Sequence, residues 1–516
     1  MTRRLRNSSM LKKLAIPFLL LLALPALAQP PAAPAKDMKA EEKKPAPPPE
    51  EKSSVTKHSL TLDGRAYPYT ATAGTLLLRD DDGTVKASVF YVAYTLDGVK
   101  DPATRPVTFS FNGGPGAASL WVHLGAFGPR RVARTDEGFG LPPPGRLVDN
   151  EDSILDATDL VFIDPVSTGY SRPAPGQDPK QFHGVKQDID WVAEFIRLWV
   201  TRNQRWASPK FVAGESYGTT RAAGLAYQLA DRYGMMLNGV VLVSTVLNWQ
   251  DQDFHPGNER PCFIHLPTYA ATAWYHKKLP PELSGDLFKT LSEVEAFALD
   301  EYGPALLQGD RLSEAKRKEL AAKIARYSGL SPTYVERSNL CVIIDRFTKE
   351  LLRDEGKTIG RLDTRFTGHD IDSVGETYEF DPASASTDGP FAAAINDYLR
   401  RDLKYETDLV YERLTDKVWP WDWTFHNQYV NVAEYLRQAI TRNPHLQVLM
   451  AAGVYDLATP FFDTFFTRDH LGLPQELRGN VQVELYQAGH MMYIRKADHQ
   501  KLKQDVTAFI RKAAGS

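Results

Sequence analysis

Cysteine, net charge and long apolar runs are all scarce in this sequence. Only two of its 516 residues are cysteine, too few for a structural zinc site. Its 61 lysine and arginine residues nearly balance its 64 aspartate and glutamate residues, which gives a formal charge of −3. This balance provides no attraction strong enough to hold a nucleic acid, so we expect no such partner. What remains is a chain long enough to bury a large core, as a globular protein does.

An apolar run near the amino terminus extends from Leu14 to Ala28. It is shorter than the roughly 18 to 20 residues that span a membrane. It follows five basic residues, contains two prolines and ends in the small-residue pattern Ala-Leu-Ala. The pattern predicts a cleaved signal peptide over residues 1–28, and therefore an exported protein, periplasmic or secreted, with no stable membrane insertion. Without that peptide, 56 basic residues face 64 acidic ones, a charge of −8.

Residues 29–57 are rich in proline, alanine, lysine and glutamate and show no apolar periodicity. Such a segment cannot bury enough surface to fold, so the sequence predicts a disordered linker. Folded structure is expected from residue 58, beginning with two strands around the turn sequence RDDDG. The aspartates of that turn lack the spacing of a calcium-binding loop, and we expect no metal there.

Short, continuously apolar runs separated by helical stretches make up much of the remaining chain. Continuous rather than alternating apolarity indicates burial on both faces, as in a mostly parallel sheet covered by helices. The sequence therefore predicts an α/β fold, in which functional residues gather at the carboxyl ends of the strands. The predicted strands are 107–111, 160–163, 211–213, 240–243, 448–452 and 481–486.

The predicted strand at 211–213 runs into the sequence GESYG and then into a helical stretch. This is the arrangement of a nucleophile elbow, whose glycines let the chain turn tightly enough to expose the hydroxyl of Ser216. A nucleophilic serine needs a base and an acid that orients the base, and α/β-hydrolases supply them in the chain order Ser, Asp, His. Two later strand ends offer Asp456 and His490. Either residue alone could be a loop residue or a helix cap, but the three in this order predict a catalytic triad.

A glycine-rich loop with the sequence NGGPG follows the strand at 107–111. Acyl transfer needs amide donors for its oxyanion, normally one from the residue after the nucleophile, here Tyr217, and one from an earlier loop. The NGGPG loop lacks the Lys-Ser/Thr ending and the glycine spacing of a phosphate-binding loop. We therefore expect it to supply the second oxyanion donor.

The chain resembles the serine carboxypeptidase family in five blocks that keep the family's order over about residues 105–493: FNGGPGAASLWVHLGAFGP, DLVFIDPVSTGYS, GESYG, the Asp456 region and AGHMM. The resemblance implies an α/β-hydrolase fold, a mostly parallel central sheet flanked by helices with a mostly helical cap insertion. It also implies removal of single residues from peptides with a free carboxyl terminus, best at acidic pH, without a cofactor or a metal. The export signal indicates a bacterial exported member of the family.

By the family's motifs, the expected nucleophile is Ser216, the base is His490 and its orienting acid is Asp456. The amides of Gly114 and Tyr217 are the expected oxyanion hole.

Three further residues, Asn112, Gly113 and Glu215, match those with which the family binds the terminal carboxylate of its substrate. Glu215 can donate a hydrogen bond to a carboxylate only while it is protonated, which is a physical reason for a preference for acidic pH. The other interpretations of Glu215 are an acid that tunes the triad and a solvated loop residue.

Three positions depart from the family's pattern. Ala117 stands where the family has a cysteine, Ala126 where it has a glutamate of the carboxylate-binding network, and Tyr493 where it often has a proline. The missing glutamate leaves strict exopeptidase action open, so an esterase or acyltransferase with the same triad is the alternative function. A binding protein that has lost its activity is the third hypothesis.

The short buried strands stop between about residues 249 and 423, where the sequence becomes charged and helical. We expect a hydrolase core over 58–250 and 425–516 and a helical cap over 251–424. Both cysteines, Cys262 and Cys341, fall in the cap, where they could pair as a disulfide or remain buried thiols. Trp419, Trp421 and Trp423 mark the return to the core and are predicted to pack the cap against it rather than to line a substrate pocket.

Overall fold

The computed structural model describes residues 49–515. The predicted signal peptide and most of the predicted linker lie outside the described residues. The nine principal strands of the central sheet, in chain order, are β1 (Ser53–Leu62), β2 (Arg65–Arg79), β3 (Val85–Leu96), β4 (Val107–Phe111), β5 (Asp159–Ile163), β6 (Lys210–Glu215), β7 (Gly239–Val243), β8 (Gln447–Gly453) and β9 (Val481–Tyr486).

The sheet has the strand order β1-β2-β3-β5-β4-β6-β7-β8-β9. The first three strands form an antiparallel meander, and β3 is also antiparallel to β5. From β5 onward, each strand in this spatial order is parallel to its neighbour, so that the carboxyl ends of six strands meet at one edge. The predicted parallel sheet is confirmed, and its six predicted strands lie within one or two residues of the observed bounds.

Helices cover both faces of this sheet, which explains the continuous apolar runs of its inner strands. The helices, in chain order, are α1 (Val185–Arg202), α2 (Tyr217–Tyr233), α3 (Arg260–Ile264), α4 (Leu266–Tyr275), α5 (Leu287–Phe297), α6 (Gly303–Leu306), α7 (Glu314–Ser328), α8 (Pro332–Arg337), α9 (Ile344–Glu350), α10 (Pro382–Arg401), α11 (Ala433–Arg442), α12 (Phe461–Asp469) and α13 (Lys496–Ala514). Side chains of α1, α2 and α11 share one apolar cluster with one face of the sheet, and those of α10 and α13 share a second cluster with the other face. Among the described helices, none is long and apolar enough to cross a bilayer.

The segment predicted as a cap is mostly helical and has an apolar cluster of its own, built largely from α4, α5 and α7. The same cluster includes residues around Asp456, at the end of β8. Helix α10 differs, because its apolar face packs into the cluster under the sheet although it falls inside the predicted cap. A disulfide joins Cys262 to Cys341 within this segment, with the two Cα atoms 5.1 Å apart.

Two predictions about strands are wrong in detail. Strand β1 begins at Ser53, so the linker predicted over 29–57 ends earlier and the core predicted from 58 begins earlier. Residues 53–57 are ordered because they pair in antiparallel register with 70–74 of β2, a partner that composition alone does not reveal. Strand β9 was predicted to be buried on both faces, but it lies at the edge of the sheet and its middle residues are half-buried or exposed.

Candidate active site

Ser216 sits in the sharp turn between β6 and α2, at the carboxyl edge of the sheet. Its backbone has φ 60° and ψ −130°, an uncommon conformation for a residue with a side chain and one that nucleophile elbows use. The amide of Ser216 donates to the carbonyl of Val243, 3.0 Å away, and its carbonyl accepts from the amide of Thr219 at 2.8 Å. The turn also needs glycine before it, because a Cβ on Gly214 would overlap the carbonyl of Gly218. Ser216 therefore lies between a strand and a helix, where the sequence predicts it, and its role as the nucleophile stays a prediction.

His490 and Asp456 form a buried pair at the ends of β9 and β8. His490 Nδ1 lies 2.7 Å from Asp456 Oδ2. Burial by itself lowers the pKa of His490, but the neighbouring Asp456 carboxylate outweighs it and raises the pKa above its usual value. Thr459 Oγ1 donates to Asp456 Oδ2 at 2.6 Å, and the Thr459 amide donates to Oδ1 at 3.1 Å. The carboxylate is thus fixed by several donors and orients the imidazole ring.

A loop from the predicted cap holds the histidine in place, which sequence reasoning missed. The amide of His490 donates to the carbonyl of Leu362, 2.7 Å away, and the amide of Gly489 donates to Asp363 Oδ2 at 3.0 Å. Asp363 is in turn held by a buried ion pair with Arg365, 2.7 Å from nitrogen to oxygen. No sequence signal could have revealed these contacts, because more than 120 residues separate the two loops.

The glycine-rich loop after β4 lies directly against the nucleophile elbow. A Cβ on Gly113 would overlap the amide of Tyr217, so only a glycine allows this approach. Gly114 has φ +100°, a conformation that favours glycine. Tyr217 is the first residue of α2, and the N–H groups of a first helical turn have no intrahelical acceptor. The predicted oxyanion donors, the amides of Gly114 and Tyr217, therefore lie on neighbouring segments at the same edge of the sheet.

Asn112 and Glu215 form a second buried pair, at the ends of β4 and β6. Asn112 Nδ2 donates to Glu215 Oε1 at 3.0 Å, and Asn112 Oδ1 accepts from the amides of Trp121 and Val122. Glu215 is 3% exposed, and this burial raises the pKa of its carboxyl group to about 7. The neighbouring His490 opposes that rise. Glu215 is therefore close enough to the histidine for their charges to interact, and it keeps its proton up to about neutral pH.

Arg221 on α2 positions Asn112 through a hydrogen bond to its backbone. This arginine was not identified from the sequence. Its Nη1 donates to the backbone carbonyl of Asn112 at 2.7 Å, and its Nε donates to Asp188 at 2.7 Å. Both side chains are almost fully buried. A charged pair in such surroundings is costly to break, so this ion pair fixes the loop that carries Asn112.

Of the three tryptophans at residues 419–423, Trp421 packs as predicted. It is buried, and its ring centroid lies 5.4 Å from that of Tyr217. Trp419 is 49% exposed, so the packing prediction is wrong for it. The Trp419 ring lies beside that of Trp423, 6.4 Å between centroids, and Trp423 is itself half-buried.

A family model for serine carboxypeptidase matches residues 78–503. The chain belongs to the serine carboxypeptidase family. Serine carboxypeptidase-like 16 from Arabidopsis thaliana is 26% identical over 223 residues, which cover 41% of this chain and 47% of the relative. Serine carboxypeptidase-like 42 from the same plant is 33% identical over 158 residues, 29% of each chain. The chain therefore spans about half or less of the length of these curated relatives.

Among solved structures, the chain is similar to Kex1(Δ)p, a prohormone-processing carboxypeptidase from Saccharomyces cerevisiae. The two share 16% sequence identity with a TM-score of 0.52, over 86% of this chain and 91% of the other. At this identity the likeness shows the fold alone, and it confirms the α/β-hydrolase architecture.

Proposed function

We propose that this protein is a serine carboxypeptidase that removes single residues from the carboxyl terminus of peptides. The observation that carries the proposal is the meeting of two buried pairs beside Ser216. The His490–Asp456 pair can activate the serine, and the Asn112–Glu215 pair can bind a carboxylate. An endopeptidase or a simple esterase has no need of the second pair.

The reaction follows from the positions of these groups. Ser216 Oγ attacks the carbonyl carbon of the last peptide bond while its proton passes to His490 Nε2. The amides of Gly114 and Tyr217 donate to the oxyanion that forms. His490 then gives its proton to the departing amino group, and the released amino acid leaves an acyl-enzyme on Ser216. Water, deprotonated by His490, attacks the ester, and the proton returns to Ser216 as the shortened peptide departs.

Recognition of the free carboxyl terminus depends on the protonation of Glu215. Below its pKa of about 7, the neutral carboxyl group can donate to the substrate's carboxylate. Above it, two negative charges would face each other. Activity on free acids is therefore proposed to fall as the pH rises through about 7. It should also fall at lower pH, because the raised pKa of His490 leaves the imidazole protonated and unable to act as a base, so slightly acidic conditions are favoured.

The disulfide supports the proposal that the protein works outside the cytoplasm. Disulfides persist in oxidising compartments such as the periplasm or the extracellular space. A bridge between Cys262 and Cys341 closes a loop of 79 residues inside the segment that carries the Leu362 and Asp363 contacts to the histidine loop. Together with the signal-like amino terminus, it favours an exported enzyme.

The test compares three substrates that share one acyl group: an N-blocked dipeptide, its carboxyl-terminal amide and a simple ester, from pH 4.5 to 8.5. The proposal expects release of the last residue from the free acid, weak action on the amide and no turnover by Ser216→Ala. Equal cleavage of acid and amide would remove Asn112 and Glu215 from their proposed role. Turnover of the ester alone would favour an esterase or acyltransferase. That function stays open because Ala126 stands where the family has a glutamate of the carboxylate-binding network.

A further inference from the structure

Two buried polar atoms beside the proposed carboxylate site make no hydrogen bond of normal geometry with any of residues 49–515. They are Glu215 Oε2 and the hydroxyl of Tyr493, and both side chains are 3% exposed. Buried polar groups in folded proteins are almost always paired, so unpaired ones at a site call for an explanation. One oxygen of Glu215 is already bonded to Asn112. A bound ligand could provide hydrogen-bond partners for the other oxygen of Glu215 and for the Tyr493 hydroxyl.

The hydroxyl of Tyr493 lies close to the side chain of Glu215. Burial raises the pKa of Tyr493 well above its usual value, and the negative charge of Glu215 adds to this rise. The side chain of Asn112 also interacts with the Tyr493 hydroxyl and opposes this rise in its pKa. The charged or titratable groups that act on Glu215 are His490, Asp456 and Tyr493 itself. The phenol therefore belongs to the same buried cluster as the Asn112–Glu215 pair.

Small residues on the facing segment make room for the tyrosine ring. A Cβ on Gly125 would lie 2.5 Å from Tyr493 Cε2 and 3.2 Å from the ring of Phe391. The next residue is Ala126, where the sequence comparison expects an acidic partner of the carboxylate site. The ring of Tyr493, from the turn after His490, thus packs where the facing segment has two small residues in succession, Gly125 and Ala126.

A phenol is a suitable replacement for a carboxyl group at such a position. It is neutral at all pH values at which Glu215 titrates and always has a proton to donate, whereas a second acid must share one. A carboxylate offers about four acceptor positions, enough for donors from an amide, a carboxyl group and a phenol together.

We propose that the Tyr493 hydroxyl binds the terminal carboxylate of the substrate, together with Asn112 and protonated Glu215. It would take the place of the family's glutamate, at whose position this chain has Ala126. The inference rests on the proposed carboxypeptidase function. It assigns Tyr493 to substrate binding rather than to the chemical step.

The experiment measures binding rather than turnover, in the Ser216→Ala background, with the N-blocked dipeptide acid and its amide as probes. Adding Tyr493→Phe should weaken binding of the acid about tenfold or more, the usual loss for a hydrogen bond to a charged group, and leave the amide unchanged. Tyr486→Phe is the matched control, because it removes a phenol hydroxyl bonded to Asp505 elsewhere in the fold, and it should change neither affinity.

A second variant moves the phenol without removing it. Gly125→Ala pushes the Tyr493 ring and should weaken binding of the acid in the same selective way. Equal losses for acid and amide, or no loss in Tyr493→Phe, would overturn the inference. These results are distinct from failure of the proposed function, which would appear as no release of the terminal residue by the enzyme with Ser216 intact.

Discussion

Two buried carboxyl groups lie beside the same histidine, and the protein treats them in opposite ways. Asp456 accepts hydrogen bonds from the amides of Ala458 and Thr459, from the Thr459 hydroxyl and from His490. Glu215 accepts one, from Asn112, and among the described residues its second oxygen has no partner with normal hydrogen-bond geometry. This difference is expected if the fold provides all the partners of Asp456 and, as we propose, a bound substrate provides the missing partner of Glu215.

The same contrast separates two halves of the site. The proposed catalytic half, Ser216, Asp456 and His490, is hydrogen-bonded to the strand ends and to the loop at Leu362. In the proposed recognition half, Asn112, Glu215 and Tyr493, one oxygen of Glu215 and the Tyr493 hydroxyl make no hydrogen bond of normal geometry with the described residues. Damage to the first should abolish the chemistry for every substrate, whereas damage to the second should change which substrates are accepted.

The largest effect is expected from Ser216→Ala. Loss of the nucleophile should lower kcat by about 10⁶-fold for acid, amide and ester alike, because no acyl-enzyme can form. Turnover kinetics with all three substrates measure the change, and an unchanged thermal midpoint shows that the fold is intact. Residual activity within tenfold of the unaltered enzyme would exclude Ser216 as the nucleophile.

Asp456→Asn comes next. The amide cannot hold His490 in the tautomer that accepts the serine proton, so kcat should fall on the order of 10⁴-fold for all substrates, with little change in KM. Steady-state kinetics at several pH values test this. A loss confined to free-acid substrates would place Asp456 in the recognition half and contradict the comparison.

Glu215→Gln should act on free-acid substrates only. In the unaltered enzyme, the carboxyl group loses its proton as the pH rises through about 7, and KM for the acid should then increase about tenfold per pH unit. Glutamine keeps an N–H donor at every pH, so the variant should show a flat KM above neutrality. The amide serves as the internal control. If KM for the acid rises above pH 7 in the variant as it does in the unaltered enzyme, a group other than Glu215 titrates in that range.

The smallest effect is expected from Thr459→Val. It removes one donor from Asp456 but leaves two amides and the histidine in place, so kcat should fall about tenfold or less. Kinetics with acid and amide should show equal losses. A change in acid-over-amide preference would show that the two halves are coupled through this threonine.

Local motifs predicted the strands and the placement of Ser216, Asp456 and His490 at strand ends, because each signal lies within a few consecutive residues. The roles of these residues stay predictions. The contacts of Asp363 and Arg221 that support the site could not be predicted, since their partners lie more than 100 residues away in the chain. The sequence shows that Tyr493 departs from the family pattern. Its proposed role in substrate binding depends on the packing of its ring against Gly125, which the sequence does not reveal.

The central claim is tested most directly by the products formed from one unblocked peptide of about ten residues. Mass spectrometry over time, at pH 5.5, should show a ladder of peptides shortened one residue at a time from the carboxyl terminus. The same peptide with an amidated end should react much more slowly, and Ser216→Ala should form no ladder. Internal cleavage, or equal rates for free and amidated peptides, would contradict the account.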